Sequence, residues 1–491
     1  MIVTFIGNDG SGKTTIAKEI ESFFRKYGFP VEYRHEYDYF ILKYVLRLIN
    51  KKSLQKKREE FLVHKKKGMI FYLWIILVWI DTTLGYFYLT FIKRDKIFIL
   101  DRYAYDQLMS FEYLGYENKI LRWLFLHVPK PDIVCFLWVE PKTAFDRKKD
   151  THNYGLEFYT SQLDRYFQLV RELKIDKINT GEDIKATSKK VLIQLFSHPK
   201  VLQTFVDRCS KNRVMYLAIK QDNLTFLHQS FKELEKIFDN KYKKYIKTIE
   251  FISEVLNSKK IDWILLKSWR NFYFLPENDI DILIPEEKAN LVLKAFEEKR
   301  ATISSTEPYK YNVIIKGLMK IEPHTTVTWR DNKFIDNDLL WKFNYVTIGK
   351  IQVKISKYDT IVVLLAALWE NSFFRLADYL YLKENLWTDS KTIEKQTKKY
   401  GWEKSFNWFE SNVNSIYVFP AFIPFNKLFD YYVQSIIEKS QKNILTINQL
   451  VVFFRDILFF FLWRVRYKVF GILPFHIKVI YVSDKQFKVK Y

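Results

Sequence analysis

Residues Gly7-Asn8-Asp9-Gly10-Ser11-Gly12-Lys13-Thr14 place three glycines, a lysine and a hydroxyl at the spacing of a phosphate-binding loop. In such a loop the backbone N–H groups and the positive end of the following helix face an anion. Lys13 is then expected to reach the β- and γ-phosphates of a nucleoside triphosphate. Thr14 offers its hydroxyl to Mg2+, and Thr15 continues into the helix. A second reactive group closes the apolar run Ile97-Phe98-Ile99-Leu100 with Asp101-Arg102-Tyr103. A carboxylate at the end of a parallel strand beside a phosphate loop lies in the crevice where open α/β sheets bind ligands. There Asp101 can hold the water shell of Mg2+, and Arg102 can clamp an acceptor phosphate through paired N–H groups. A third group is Asp279-Ile280-Asp281, preceded by Lys267-Ser268 and followed by Glu322-Pro323-His324. Asp279 and Asp281 alternate by two, so on a strand both face one side. With Glu322 from a neighbouring strand they can hold two Mg2+ ions for attack on an α-phosphate. His324 is read as a hydrogen-bonded core histidine rather than a ligand.

These groups need elements to position them. Ile2–Ile6 reads as a buried strand and Thr15–Phe24 as the helix that the loop opens. Val31–Arg34, Ile97–Leu100, Ile133–Trp138 and Lys177–Asn179 continue an alternation of strand and helix signals. That alternation is expected of an α/β, doubly wound parallel sheet. Residues from about 200 to 245 are polar with helical periodicity and lack Pro and Gly, so they read as a helical bridge. A second set of strand signals covers Trp263–Leu266, Ile280–Ile284, Asn312–Ile315 and Met319–Glu322, and residues from about 356 onward read as helices.

The chain has 491 residues, 48% hydrophobic and 18% aromatic, with 43 Phe and 32 Tyr. This composition suits packed cores and excludes a disordered chain. Two cysteines, Cys135 and Cys209, exclude a disulfide framework. The N-terminus enters a strand without a basic-then-apolar leader, so no signal peptide is expected and ATP chemistry points to the cytoplasm. The formal charge of +23 suits phosphate-rich partners. Lys51-Lys52, Lys56-Lys57-Arg58 and Lys65-Lys66-Lys67 form the densest basic stretch, read as a solvated helix face. Nucleic-acid contact is open, although no motif indicates it. Ile70–Ile92 is almost wholly apolar around Asp81 and is read as a buried helix pair broken near Asp81-Thr82-Thr83 and Gly85. Leu450–Trp463, followed by Arg464, Arg466 and Lys468, is read as a core helix, with peripheral membrane contact as the alternative.

The loop with Asp9 and Thr15, together with Asp101-Arg102-Tyr103, resembles the thymidylate kinase family over residues 1–195. Lys130-Pro131-Asp132 and Glu140–Arg147 belong to the same resemblance. It implies that Asp9 contacts the acceptor sugar and Arg102 its phosphate. It also implies that Arg147, with Lys148 or Lys149, neutralises the transferred phosphoryl group. The family is commonly dimeric, and the oligomeric state of this chain stays open because its second half could cover that surface. Arg34-His35-Glu36-Tyr37 stands where the family has Arg-Glu-Pro-Gly, a departure at the base and sugar contacts. Residues 245–385 resemble the nucleotidyltransferase superfamily through Lys267-Ser268, Asp279, Asp281 and Glu322, with Ser268 where a glycine is usual.

The expected organisation is therefore a P-loop domain over 1–197, a helical bridge over 198–244, an α+β nucleotidyltransferase-like domain over 245–354 and a helical region over 355–491. The leading functional expectation is transfer of the ATP γ-phosphate to a nucleoside monophosphate, dTMP first, with ATP and Mg2+ as cofactors. The alternatives are nucleotidyl or phosphoryl transfer to a sugar or envelope-glycan precursor, and a non-catalytic, nucleotide-responsive protein that binds nucleic acid or a membrane surface.

Overall fold

The computed structural model describes residues 1–35, 42, 69–92, 96–149, 154–211, 214–221, 224–267, 279–307, 309–329, 332–365, 373–374, 376–385, 390–412 and 421–422. The chain divides into two compact units, Met1–Phe205 and Val206–Tyr491.

The first unit is built on five parallel strands: β1 (Ile2–Ile6), β2 (Val31–His35), β3 (Ile97–Asp101), β4 (Ile133–Trp138) and β5 (Lys177–Asn179), in the order β2-β3-β1-β4-β5. All five residues of β1 are buried, because a parallel strand covered on both faces is apolar throughout rather than alternating. Its registers, Phe5 opposite Asp101 and Ile6 opposite Phe136, align the C-terminal ends of β1, β3 and β4. The reactive groups emerge from these ends. The helix Lys13–Lys26 turns Phe24 into a ring cluster with Phe29, Phe196 and Phe205, the last pair at 4.9 Å between centroids.

The segment expected to be a broken, buried pair is instead one helix, Met69–Phe87, closed by a π-helical turn at Tyr88–Ile92. Thr82 and Thr83 donate back to the Val78 and Trp79 carbonyls four residues earlier, so these hydroxyls are satisfied without breaking the helix. Burial is one-sided. Ile75, Val78 and Asp81 face inward, while Leu73, Ile76, Leu77, Ile80, Leu84 and Phe87 are exposed. Asp81 is tolerated inside because its carboxylate accepts from the Leu42 backbone N–H at 2.9 Å. By length and composition the span Tyr72–Phe91 suffices to cross a membrane.

The second unit carries a seven-stranded mixed sheet with the order β13-β14-β6-β7-β10-β9-β8. Its strands are β6 (Ile264–Leu265), β7 (Asp279–Leu283), β8 (Thr302–Glu307), β9 (Lys310–Ile314), β10 (Lys320–His324), β13 (Phe343–Ile348) and β14 (Ile351–Ser356). Two further pairs, β11 (Thr328–Trp329) with β12 (Asn332–Lys333) and β15 (Phe373–Phe374) with β16 (Ala421–Phe422), lie apart from it. The strands β8, β13 and β14 were not expected from the sequence. The first two lie at the sheet edges, and all three carry polar residues that shorten any apolar run. The helix Gln229–Ser258 packs Tyr245, Ile249, Ile252, Val255 and Leu256 into the core beneath the sheet, spaced at helical intervals. It runs through residues 244 and 245, so the expected bridge and the domain after it share one element. The basic stretch Lys51–Lys67, Ser268 and Leu450–Lys468 lie outside the described residues.

Candidate functional site

The phosphate loop joins β1 to the helix Lys13–Lys26, and its glycines are dictated by space and backbone angle. A Cβ on Gly7 would sit 1.8 Å from the Leu137 carbonyl oxygen, and one on Gly10 would sit 2.9 Å from Ala144 Cα. Gly10 and Gly12 also have φ of 81° and 77°, the left-handed region that glycine enters at least cost. Asn8 pins the loop to the neighbouring strand. Its amide donates to the Val139 carbonyl at 3.0 Å and accepts from the Val139 N–H at 3.2 Å. The Asp9 N–H donates to Gln162 Oε1 at 2.8 Å. Ser11 is buried, and its hydroxyl has no partner within the described residues. Thr15, next to Thr14, is exposed in the first helical turn.

Lys13 Nζ donates to the carbonyls of Gly7 and Asn8 at 2.7 and 2.9 Å. Burial, helped by the charge of Arg102, brings its pKa down to about 8 against the opposing pull of Asp9, Asp106 and Asp101. Thr14 Oγ1 donates to Asp101 Oδ2 at 2.5 Å, and Tyr33 donates to the same oxygen at 2.8 Å. The other oxygen, Asp101 Oδ1, is buried without a hydrogen-bond partner among the described residues. A buried carboxylate oxygen left open beside the P-loop threonine fits a hydrated divalent cation. Arg102 occupies a left-handed backbone angle, φ 82°, and its Nη2 meets Asp9 Oδ1 at 2.6 Å. The expected acceptor-side residues, Asp9 and Arg102, are therefore brought together. Arg147 lies across the loop, donating to the carbonyls of Gly10 at 3.0 Å and Thr180 at 3.1 Å. In this arrangement it braces the loop.

Asp106 was missed in the sequence. It is fully buried on the helix Ala104–Tyr113 and accepts from the Gly7 N–H at 3.3 Å, the Tyr103 N–H at 3.0 Å and the Tyr166 hydroxyl at 2.6 Å. It thus ties the phosphate loop to the start of the helix after Arg102. Burial raises its pKa, with Lys13 and Arg102 opposing. The legible signal was a lone acid three residues after Tyr103, where it completes a capping box.

In the second unit β7 and β10 pair in parallel, with Asp279 opposite Lys320 and Asp281 opposite Glu322. The expected trio therefore converges on one face. Asp281 and Glu322 are buried and Asp279 is partly exposed. Burial, then the charges of Asp281 and Glu322, raises the Asp279 pKa. Burial also works against the charged form of Asp281, but Lys267 and the His324 hydrogen bond outweigh it and hold its carboxyl well below the usual range. Lys267 has φ 34° and Nζ 3.5 Å from Asp281, while its N–H donates to Asp359 at 2.6 Å. Lys310 and Lys320, unforeseen in the sequence, both pair with Glu322.

A parallel sheet whose central strand feeds a phosphate loop, with an Asp-Arg pair at the next strand end, defines the first unit as a P-loop kinase. The chain is 31% identical over 178 residues to a probable thymidylate kinase of Staphylothermus marinus, covering 36% of this chain and 80% of that protein. Over this part of its length the chain belongs to the thymidylate kinase family. A probable thymidylate kinase of Sulfurisphaera tokodaii is 24% identical over 199 residues, 39% of this chain and 93% of that protein. Two solved structures each align with 40% of the chain. Thymidylate kinase from Ehrlichia chaffeensis is 20% identical, with 98% of that chain covered and a TM-score of 0.28. Deoxyadenosine kinase from M. mycoides, with products dCMP and dCDP, is 19% identical, with 100% covered and a TM-score of 0.29. No family model matches the sequence.

Proposed function

We propose that the first unit transfers the γ-phosphate of ATP to a nucleoside monophosphate, with dTMP the preferred acceptor. The observation that carries this reading is the juxtaposition of two phosphate-binding groups on adjacent strand ends. Lys13 and the loop serve the donor, and Arg102, held by Asp9 at 2.6 Å, serves the acceptor. Phosphoryl transfer asks mainly for positioning and for cationic stabilisation of the equatorial oxygens. Lys13 needs only to leave the Gly7 and Asn8 carbonyls to meet the β- and γ-phosphates. Arg102 turns from Asp9 to the acceptor phosphate. Asp106 keeps the loop and the Arg102 strand end in register. Thr14 and Asp101 would hold Mg2+, which when bound neutralises charge on the β- and γ-oxygens. The test is one variant read by steady-state kinetics. Arg102→Ala should raise the acceptor KM and lower kcat while leaving the KM for ATP within about threefold. Equal loss on the ATP side would place Arg102 at the donor and contradict this assignment.

A second reading concerns the other unit. The convergence of Asp279, Asp281 and Glu322 on one face of β7 and β10 supports a metal-dependent nucleotidyltransferase-like site, distinct from the kinase site. Asp279→Ala with Asp281→Ala should abolish incorporation of a labelled nucleotide into an acceptor and leave γ-phosphate transfer intact.

A further inference from the structure

The face that carries Asp281 also carries an imidazole. On β10 the side chains of Lys320, Glu322 and His324 alternate onto one side of the sheet, and the parallel register sets Glu322 beside Asp281 and His324 one step beyond. His324 Nε2 lies 2.9 Å from Asp281 Oδ1. One ligand atom from each of Asp281, Glu322 and His324 falls within 4.8 Å of the other two. Two carboxylates and one imidazole, all on paired strands and mostly buried, are a pre-set ligand group that needs only side-chain rotation to close on one ion.

We propose that Asp281, Glu322 and His324 form a mononuclear site for a divalent transition metal of the Mn2+ or Zn2+ class, with His324 as a ligand. The proposal rests on the reading of this face as metal-binding and deepens it by naming the ligand set and the metal class. Mg2+ takes oxygen ligands and keeps much of its water, whereas imidazole suits the first-row transition ions. Lysines balance the charge of this face. Lys310 and Lys320 pair with Glu322, and Lys267 faces Asp281, so the buried carboxylates are compensated by ammonium groups. A divalent ion takes over that compensation. Lys320 can then turn to Asp279, already 3.4 Å away.

The full chain, in a buffer without nitrogen ligands or nucleotide, would be titrated with Mn2+ and examined by electron spin echo envelope modulation. An Asp101→Asn background silences the kinase cation site. Nitrogen modulation from one coordinated imidazole is expected in the parent. It should vanish in His324→Gln, which should also bind Mn2+ at least tenfold more weakly. Lys320→Met, which removes a competing cation, should tighten binding. Circular dichroism would establish that each variant folds. Mn2+ held with no nitrogen signal, or unchanged by His324→Gln, would overturn the histidine ligand and leave an oxygen-only metal face standing. Absence of Mn2+ binding in folded parent and Lys320→Met alike would overturn both the proposal and the metal reading beneath it.

Discussion

At the residue scale, Lys13 links folding to pH and, under the proposed function, to nucleotide binding. Its pKa of about 8 in the folded chain lies below the ordinary lysine value of 10.5, so between these values the unfolded chain carries more protons. Stability of the nucleotide-free protein contributed by this group therefore rises with pH across that window. At neutral pH the charged form is a burden on the fold. Lys13→Met should accordingly raise stability without nucleotide by on the order of 1–3 kcal/mol in denaturant titration, while abolishing nucleotide binding. Phosphates favour the ammonium, so ATP binding near pH 9 should take up protons, visible as a calorimetric heat that changes with buffer ionisation enthalpy. Asp106 provides the complementary case. Removing its buried acceptor in Asp106→Ala leaves the Gly7 and Tyr103 N–H groups and the Tyr166 hydroxyl unpaired. A loss of about 2–4 kcal/mol is expected in the same titration. The phosphate loop was legible in the sequence because its glycines, lysine and hydroxyl stand at a fixed local spacing, and Asp101 and Arg102 because they close an apolar strand run. The buried tie that Asp106 makes to Gly7 and Tyr166 was not, because those partners lie far along the chain, and the pairing of Lys310 and Lys320 with Glu322 was not, because a lysine on a strand carries no local pattern that marks its partner.

At the scale of elements, the three central strands of the first unit, β1, β3 and β4, were legible because burial on both faces makes each a near-continuous apolar run. The edge strands of the second sheet were not, since partial exposure dilutes the same signal. The helix Met69–Phe87 shows a further limit. Apolar residues all round its surface suggested burial all round, whereas the structure buries one side only. Substitutions on the two sides should differ. Ile75→Ser or Val78→Ser should cost several kcal/mol, about 2–4 by analogy with other buried aliphatic truncations. Leu73→Ser or Leu84→Ser should stay within about 0.5 kcal/mol in thermal or chemical denaturation. Equal costs on both sides would contradict the one-sided packing. The glycines of the loop make a similar point for the turn, where Gly10→Ala must displace the backbone at Ala144 and should lose nucleotide affinity more than it loses stability.

At the scale of the molecule, two units each gather reactive side chains on paired strands, one beside a phosphate-binding-type loop and one around carboxylates. Under the proposed function these are separate chemistries on one chain, so inactivating either should leave the other. The central claim is the kinase reaction. The most direct measurement is γ-phosphate transfer from Mg-ATP to a panel of nucleoside monophosphates, dTMP included, with Lys13→Ala as the control. Conversion of dTMP to dTDP is expected, falling by at least about a hundredfold in the control. Binding of ATP by the wild-type chain without transfer to any monophosphate would contradict it.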